Sequence, residues 1–288
     1  MVQLLAEDIQ TKEVLDWQGV HLFHFVGSTC SQKTRIFLGL KGIDWQSHHM
    51  NLVKKAHQTE YYMGINPRGL VPTLVHDGKV IIESNDILTY LDETFPEPSL
   101  IPSDRANEIA ARLKAEDDLH LAIRAITMRF VFPGFLAKRS EKEIANYEAL
   151  GTGTVQGATD EHKAEESAFW RRMLQHGYIP DEDIKDAFAK FQAQLQVFDE
   201  LLANQDYLVG STVTVADIAW YIYLRRLTLG GYPLARHPHV NAWFSKLDAR
   251  PEFHNEVPTG GLPGLITSGL HAVQALKRSR LVDVAEAS

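Results

Sequence analysis

The sequence predicts two domains of different class: an α/β domain over a mixed four-stranded sheet at about 21–97, then an all-α domain over 104–258. Three observations carry this. Strand and helix signals alternate as far as Phe95-Pro96, after which strand signals stop. Asp77-Gly78 sits between two short apolar runs, the strongest short-range hairpin signal. A length of 288 residues accommodates two ordinary domains.

The elements follow in order. Residues 1–20 read as an N-terminal extension. His21 to Val26 is a short buried strand closed by Gly27. A helix follows with Ile36, Phe37, Leu40 and Ile43 on one face, ending at Gly42. Trp45 to Leu52 reads as a second strand, and Lys54 to Met63 as a weak helix or loop. Asn66-Pro67-Arg68-Gly69 is turn chemistry. Strands Thr73–His76 and Lys79–Ile82 flank the Asp-Gly turn. The next helix turns Ile87, Leu88, Leu91 and Phe95 inward and is stopped by Pro96 and Pro98. The β-α-β start demands a parallel pair and the hairpin an antiparallel one, so the sheet is mixed. After a linker at 97–102, helices are expected over 105–125, 160–175, 181–203, 215–227 and 240–249. Thr214 and Asp217 form a capping-box pattern at the fourth of these. Residues 259–288 read as a C-terminal extension with one helix.

Composition narrows the function classes. Hydrophobic residues at 44% and charged residues at 23% match a globular protein, which excludes disordered and fibrous classes. With 29 Lys+Arg against 37 Asp+Glu the net charge is −8, so nucleic acid is not an expected partner. Met1 to Val20 carries four acidic residues and no apolar core of signal length, and nothing later has the length of a membrane span. A cytoplasmic protein is the expectation. The single cysteine, Cys30, rules out an internal disulfide or a cysteine-based zinc cluster. No histidine pair has a zinc-helix spacing, so no metal is expected. The glycine-rich stretch 151–157 has no strand before it and reads as a loop, not a dinucleotide fingerprint.

Two constellations remain. Ser28-Thr29-Cys30-Ser31 sits where a strand end meets a helix N-terminus, a place where exposed N–H groups and the helix dipole favour an anion. Hydroxyls there could donate to a thiolate; lowering a thiol by two pKa units needs only about 2.7 kcal/mol of differential stabilisation. The same residues could simply cap the helix. The second constellation is Val71-Pro72 with Glu83-Ser84. A proline before a strand often marks a special turn, sometimes a cis bond. The Val71 backbone could then pair with an extended peptide, while Glu83-Ser84 lies at a second helix start. Together these features describe a slot for a short acidic thiol peptide.

Those residues resemble the cytosolic glutathione transferase superfamily, across about 21–253. Residues 28–36 with Leu40-Lys41-Gly42-Ile43 are similar to the active-site segment of zeta-class enzymes, although Lys33-Thr34 departs from that class. Asn66 to Pro72 and Ile82-Glu83-Ser84 resemble the glutathione signature, and Val213 to Asp217 the helical-domain capping box. The segments at 170–172, 176–178 and 205–209 resemble bacterial glutathione-dependent β-aryl-etherases of lignin breakdown. The resemblance implies a glutathione transferase fold: a thioredoxin-like domain that binds glutathione as co-substrate, and a helical domain that takes an electrophilic, aromatic second substrate. By position it places Ser28, Thr29 or Cys30 at the sulfur, Val71 and Pro72 along the cysteinyl unit, Glu83 and Ser84 at the γ-glutamyl end, and His57 or Gln58 at the glycyl carboxylate. A homodimer is implied as well. Phe130, Phe132, Tyr178, Trp220 and Tyr223 could line an aryl pocket, and Arg124 or Arg129 could meet a substrate anion; each is also an ordinary core or surface position. Two other functions are compatible with the motifs: a thiol reductase using Cys30, and a non-catalytic binding module.

Overall fold

The computed structural model describes residues 1–132, 139–257 and 261–287, without the side chains of 261–267. The expected start of the C-terminal extension at Thr259 lies outside the described residues. The chain forms two compact units, residues 1–99 with 139–175, and residues 100–138 with 176–288.

In the first unit the central strand β2 (Val20–His24) is buried along its whole length. It pairs in parallel with β3 (Gln46–His49) and antiparallel with β4 (Thr73–His76), which pairs antiparallel with β5 (Lys79–Ile82). The expected sheet of four strands gains a fifth. β1 (Val2–Gln3) adds antiparallel to β5, giving the order β1-β5-β4-β2-β3. Two residues carry no readable period, and what recruits them is the open edge of β5.

Helices α1 (Thr29–Lys41) and α3 (Ser84–Thr94) pack together, burying Ile36, Phe37, Ile87, Leu88 and Leu91. Helix α1 starts on the Ser28 side chain and stops at Gly42, whose left-handed φ of 63° closes it. The short α2 (Glu60–Met63) follows a 3-10 turn at Ala56–Gln58. The second core cluster of this unit explains why both chain segments belong to it. Leu4, Ile9 and Val14 from the N-terminal residues and Val155 from far along the chain pack on Phe23, Tyr62, Val75, Val80 and Ile82. Each such apolar side chain contributes about 1.5–3 kcal/mol of burial. Residues 1–20 are thus part of the sheet layer and not an appendage.

Segment 139–175 lies within the helical domain that the sequence predicts over 104–258. It instead folds with the sheet as α6 (Glu141–Ala149), a small hairpin β6–β7 (Thr154–Val155, Ala158–Thr159) and most of α7 (His162–His176). The glycine-rich stretch is therefore a hairpin, with Gln156 and Gly157 at positive φ in its turn. The buried Asp8 holds it: its carboxylate accepts from Thr154 Oγ1 at 2.9 Å, Gln156 N at 2.7 Å and Gly157 N at 3.2 Å.

The second unit is helical. The segment expected as one helix over 105–125 is two, α4 (Ala106–Asp117) and α5 (His120–Ile126), followed by a π turn to Val131. Helix α8 (Asp181–Leu202) buries Ile184, Phe188, Phe191, Leu195, Phe198 and Leu202 along one stripe and packs on α5, α10 (Pro238–Asp248) and α13 (Leu281–Ala285). Helix α9 (Val215–Leu229) is buried almost all round. The capping box forms as expected: the Thr214 amide donates to Asp217 Oδ2 at 2.9 Å. Beyond α11 (Pro251–His254) the terminal stretch holds two helices where one was expected, α12 (Gly261–Leu276) and α13.

Candidate active site

The strand-to-helix junction after β2 puts Ser28 at the N-cap of α1. Its Oγ accepts the Ser31 amide at 3.3 Å and donates to the Val71 carbonyl at 3.5 Å. One hydroxyl therefore both caps α1 and faces the Val71 carbonyl. The bond to Val71 lies at the outer limit of hydrogen bonding, so the hydroxyl proton is cheaply redirected to a stronger acceptor. Thr29 and Cys30 occupy the first turn of α1, half-buried, whereas Ser31 is fully buried and accepts from the Phe25 amide.

The Val71–Pro72 peptide bond is cis, in line with the sequence expectation. Loop 66–72 leading into it is fixed by a buried network. Asn66 Nδ2 donates to Leu70 O at 3.0 Å and to Thr73 Oγ1 at 2.9 Å, and the Tyr62 hydroxyl donates to Leu70 O. Burial pushes the Tyr62 phenol well above its usual range, so it stays a donor. Gly69 takes φ 61° in this loop, and a Cβ there would lie 3.1 Å from the His57 carbonyl, so glycine is required on two counts.

Glu83 precedes α3 with φ 65°, a costly conformation for a side chain of this kind, about 1–3 kcal/mol. Its carboxylate meets Arg68 Nη1 at 2.5 Å, and Arg68 in turn is held by Asp160 through Nε at 2.9 Å and Nη2 at 2.8 Å. Burial alone would lower the Arg68 pKa, but the two carboxylates outweigh it and raise it, so the cation is permanent. Ser84, the first residue of α3, is buried. Structure thus brings Ser28 to Val71 and links Glu83 to loop 66–72 through Arg68.

His57 and Gln58 lie in the 3-10 turn, His57 buried and Gln58 half-buried. His57 Nδ1 is buried without a hydrogen-bond partner. Burial, then the positive charge of Arg139, lower its pKa to about 4, so the imidazole is neutral at physiological pH.

Two family models match the chain: the glutathione S-transferase N-terminal domain over residues 22–99 and the glutathione S-transferase C-terminal domain over residues 163–251. The chain belongs to the glutathione transferase superfamily. This transferase is 29% identical to the protein LigF of Sphingobium sp. strain SYK-6, over 80% of its own length and 90% of LigF. It is also similar to the crystal structure of the β-etherase LigF, with a TM-score of 0.71 at 27% identity, covering 84% of this chain and all of that one. Maleylacetoacetate isomerase of Pseudomonas aeruginosa is 39% identical over 105 residues, 34% of this chain and half of the isomerase.

In the helical unit three of the five aromatic residues and both arginines take the ordinary structural alternative that the sequence also allowed. Phe130, Trp220 and Tyr223 are 1%, 0% and 1% exposed, packed as core and not as pocket lining; Trp220 stacks edge-on against Phe198 and donates to Arg112 O. Arg129 is bound to Ile179 O and Asp181, and Arg124 to His120. Among the described residues no group of three or more His, Cys, Asp or Glu could hold a metal, and no helix is long and apolar enough to cross a membrane. Sequence reasoning missed Asp160 and Arg139. The Ser140…Glu143 capping pattern could have announced the helix that begins beside Arg139, but nothing local announces Asp160.

Proposed function

We propose that this chain is a glutathione-dependent transferase of the β-aryl-etherase type, in which Ser28 stabilises the glutathione thiolate for attack on an electrophilic aromatic substrate. The observation that carries the reading is the meeting of the Ser28 hydroxyl with the Val71 carbonyl at the N-terminus of α1. A sulfur-stabilising donor and an edge for an extended peptide then share one place. The similarity to LigF along most of both chains supports the choice of reaction.

In this reading the Val71 backbone pairs with the cysteinyl unit beside Pro72, as an added strand would. The γ-glutamyl carboxylate lies on Ser84 and the first N–H groups of α3. Its ammonium faces Glu83. Arg68 is one cation between two carboxylates, Glu83 and Asp160, which leaves one surplus negative charge for that ammonium. Ser28 turns its hydroxyl from the 3.5 Å contact with Val71 to donate a hydrogen bond to the sulfur, whose own proton is released to water, and the α1 dipole adds to the stabilisation of the thiolate. The thiolate attacks the carbon that bears the aryl ether, next to a ketone. The C–S bond forms, the C–O bond breaks, and the phenoxide leaves and takes a proton from water; no electrons are exchanged with a further reactant.

The test pairs a product screen with one substitution. Incubation with glutathione and a β-aryl ether ketone should release a phenol and a glutathione thioether. Ser28→Ala should raise the pKa of the bound thiol, read by thiolate absorbance, by about one unit or more, which corresponds to about 1.4 kcal/mol. An unchanged thiol pKa refutes Ser28 and transfers the role to Thr29. Loss of activity in Cys30→Ser with a retained thiol pKa would favour the reductase reading.

A further inference from the structure

Four of the thirteen histidines fall on the paired strands β2 and β3, and the alternation of the sheet divides them: His21 and His48 share one face, His24 and His49 the other. His24 is fully engaged. Its Nδ1 accepts from Arg35 Nη1 at 3.2 Å and its Nε2 donates to Ser47 Oγ at 2.7 Å.

His21 and His48 are arranged differently. They stand 27 residues apart, so no helix spacing announces them, yet His21 Nδ1 lies 3.0 Å from His48 Nε2. His21 Nε2 lies 2.9 Å from the Gln18 carbonyl. A carbonyl oxygen only accepts, so His21 carries its proton on Nε2 and turns the lone pair of Nδ1 toward His48, whose Nε2 proton fills the gap. Burial, then the neighbouring His21, lowers the His48 pKa, so this ring is neutral at physiological pH. Aromatic faces hold both rings in place. The Trp17 ring centre is 4.6 Å from that of His21 and 4.9 Å from that of His48, and Phe23 lies 4.6 Å from His48.

This is a pair of imidazoles oriented as metal ligands are, with a proton in the place of the ion. A ligating histidine characteristically gives its other N–H to a backbone carbonyl, which fixes the tautomer, and His21 does so to Gln18. An ion about 2.0–2.1 Å from both nitrogens would subtend about 95° between them. That angle suits neighbouring positions of a tetragonal Cu2+ or Ni2+ site better than the wider angle of tetrahedral zinc, and Cu2+ binds nitrogen donors most strongly. When the ion enters, the His48 proton passes from Nε2 to Nδ1, so the ring stays neutral and nothing is oxidised or reduced. His48 is half-buried on β3, the last strand of the sheet, and is open to an ion from solvent.

We propose that His21 and His48 form a two-imidazole site for a tetragonal divalent transition-metal ion, Cu2+ foremost, with water in the remaining positions. The site is independent of the glutathione reading: His21 stands near the start of β2, whereas Ser28 follows its end.

The experiment titrates Cu2+ into the full-length chain carrying Cys30→Ser, without glutathione, so that no thiol competes. Calorimetry, tryptophan fluorescence and electron paramagnetic resonance follow the first equivalent. That equivalent should quench Trp17 and show two equatorial nitrogen donors. Trp17→Phe should lose the quench and keep the calorimetric event. His48→Gln keeps a donor for His21 Nδ1 and hence the fold, but should bind Cu2+ about tenfold or more weakly and lose one nitrogen from the spectrum; His21→Gln should do the same. Wild-type affinity in both histidine variants overturns the proposal. So does a first equivalent that leaves the Trp17 fluorescence unchanged, or a spectrum with the same nitrogen count before and after His48→Gln.

Discussion

Asp8 offers the sharpest test of how this chain supports its site. Its carboxylate is fully buried and takes four donors: Leu5 N at 2.9 Å and Gln156 N at 2.7 Å on Oδ2, Thr154 Oγ1 at 2.9 Å and Gly157 N at 3.2 Å on Oδ1. Asp8→Asn preserves shape but puts an NH2 group where one oxygen was. Facing Oδ1's partners, that group can be accommodated by rotation of the Thr154 hydroxyl, but the Gly157 N–H is left opposite another donor. One orphaned buried amide costs about 1–3 kcal/mol, and the bonds that survive lose their charge assistance, so about 2–4 kcal/mol is expected in all. The damage should be local, because what is released is the β6–β7 hairpin and its neighbour Asp160. Without Asp160, Arg68 loses the partner that orients it toward Glu83. The expected phenotype is therefore faster tryptic cleavage at Lys142 and Lys163, and a higher KM for glutathione with kcat less affected. Acid should mimic it. Burial opposes ionisation of Asp8, but the N–H groups and the Thr154 hydroxyl outweigh it and hold its pKa below the usual aspartate value. Its contribution is then complete above about pH 4 and fades as pH falls through the folded-state value. A variant with wild-type protease resistance and wild-type KM would refute the chain of support from Asp8 to Glu83.

Two further outcomes follow from the same kind of reasoning. Asp217→Ala in the helical unit strips the partner from four buried donors, Leu208 N, Thr214 N and Trp243 Nε1, each at 2.9 Å, and Thr214 Oγ1 at 3.0 Å. A cost of about 3–5 kcal/mol is expected, read as a lower urea midpoint with an unchanged slope. His57 should remain neutral down to about pH 4, so its ring proton shifts should be flat between pH 8 and 5.5. Arg139→Met removes a positive neighbour and should move that midpoint upward; a wild-type midpoint near 6.5 would contradict the burial of the ring.

The legible parts of the fold are those with local causes. Asp77 and Gly78 both take positive φ, 48° and 75°, and the hairpin pairs His76 with Lys79 around them, as the dipeptide alone predicts. Ser28 and Gly42 bound α1, and Thr214 with Asp217 starts α9, for reasons contained within a few residues. Illegible were the elements whose cause lies elsewhere in the chain. Val2 and Gln3 are strand only because the edge of β5 is open to them. Segment 139–175 has ordinary helical periodicity, and its periodicity is silent about which core it joins. That is decided by Val155 reaching a cluster built on Leu4, Ile9 and Phe23, and by the hydrogen bonds of Asp8.

The same division runs through the site. Ser28, Val71-Pro72 and Glu83-Ser84 are visible as motifs because a hydroxyl at a helix start, a cis-prone turn and a second helix start are local chemistry. Arg68 stands inside a recognisable turn, but its role comes from Asp160, 92 residues away. Arg139, Glu143, Tyr147 and Asp160 all lie at 139–162, between the stretches 22–99 and 163–251 that match the family models. Yet Glu143 pairs with Lys55, the Tyr147 hydroxyl donates to Arg68 O at 2.7 Å, and Asp160 holds Arg68, so each reaches a loop inside the matched region. The family motifs therefore say where a tripeptide would lie, while the stiffness of the loops that would hold it is set by residues the motifs do not contain. Substitutions at 139–162 should consequently alter affinity for the peptide ends and leave unchanged the chemistry at the sulfur, which the proposed mechanism assigns to Ser28 and the α1 dipole.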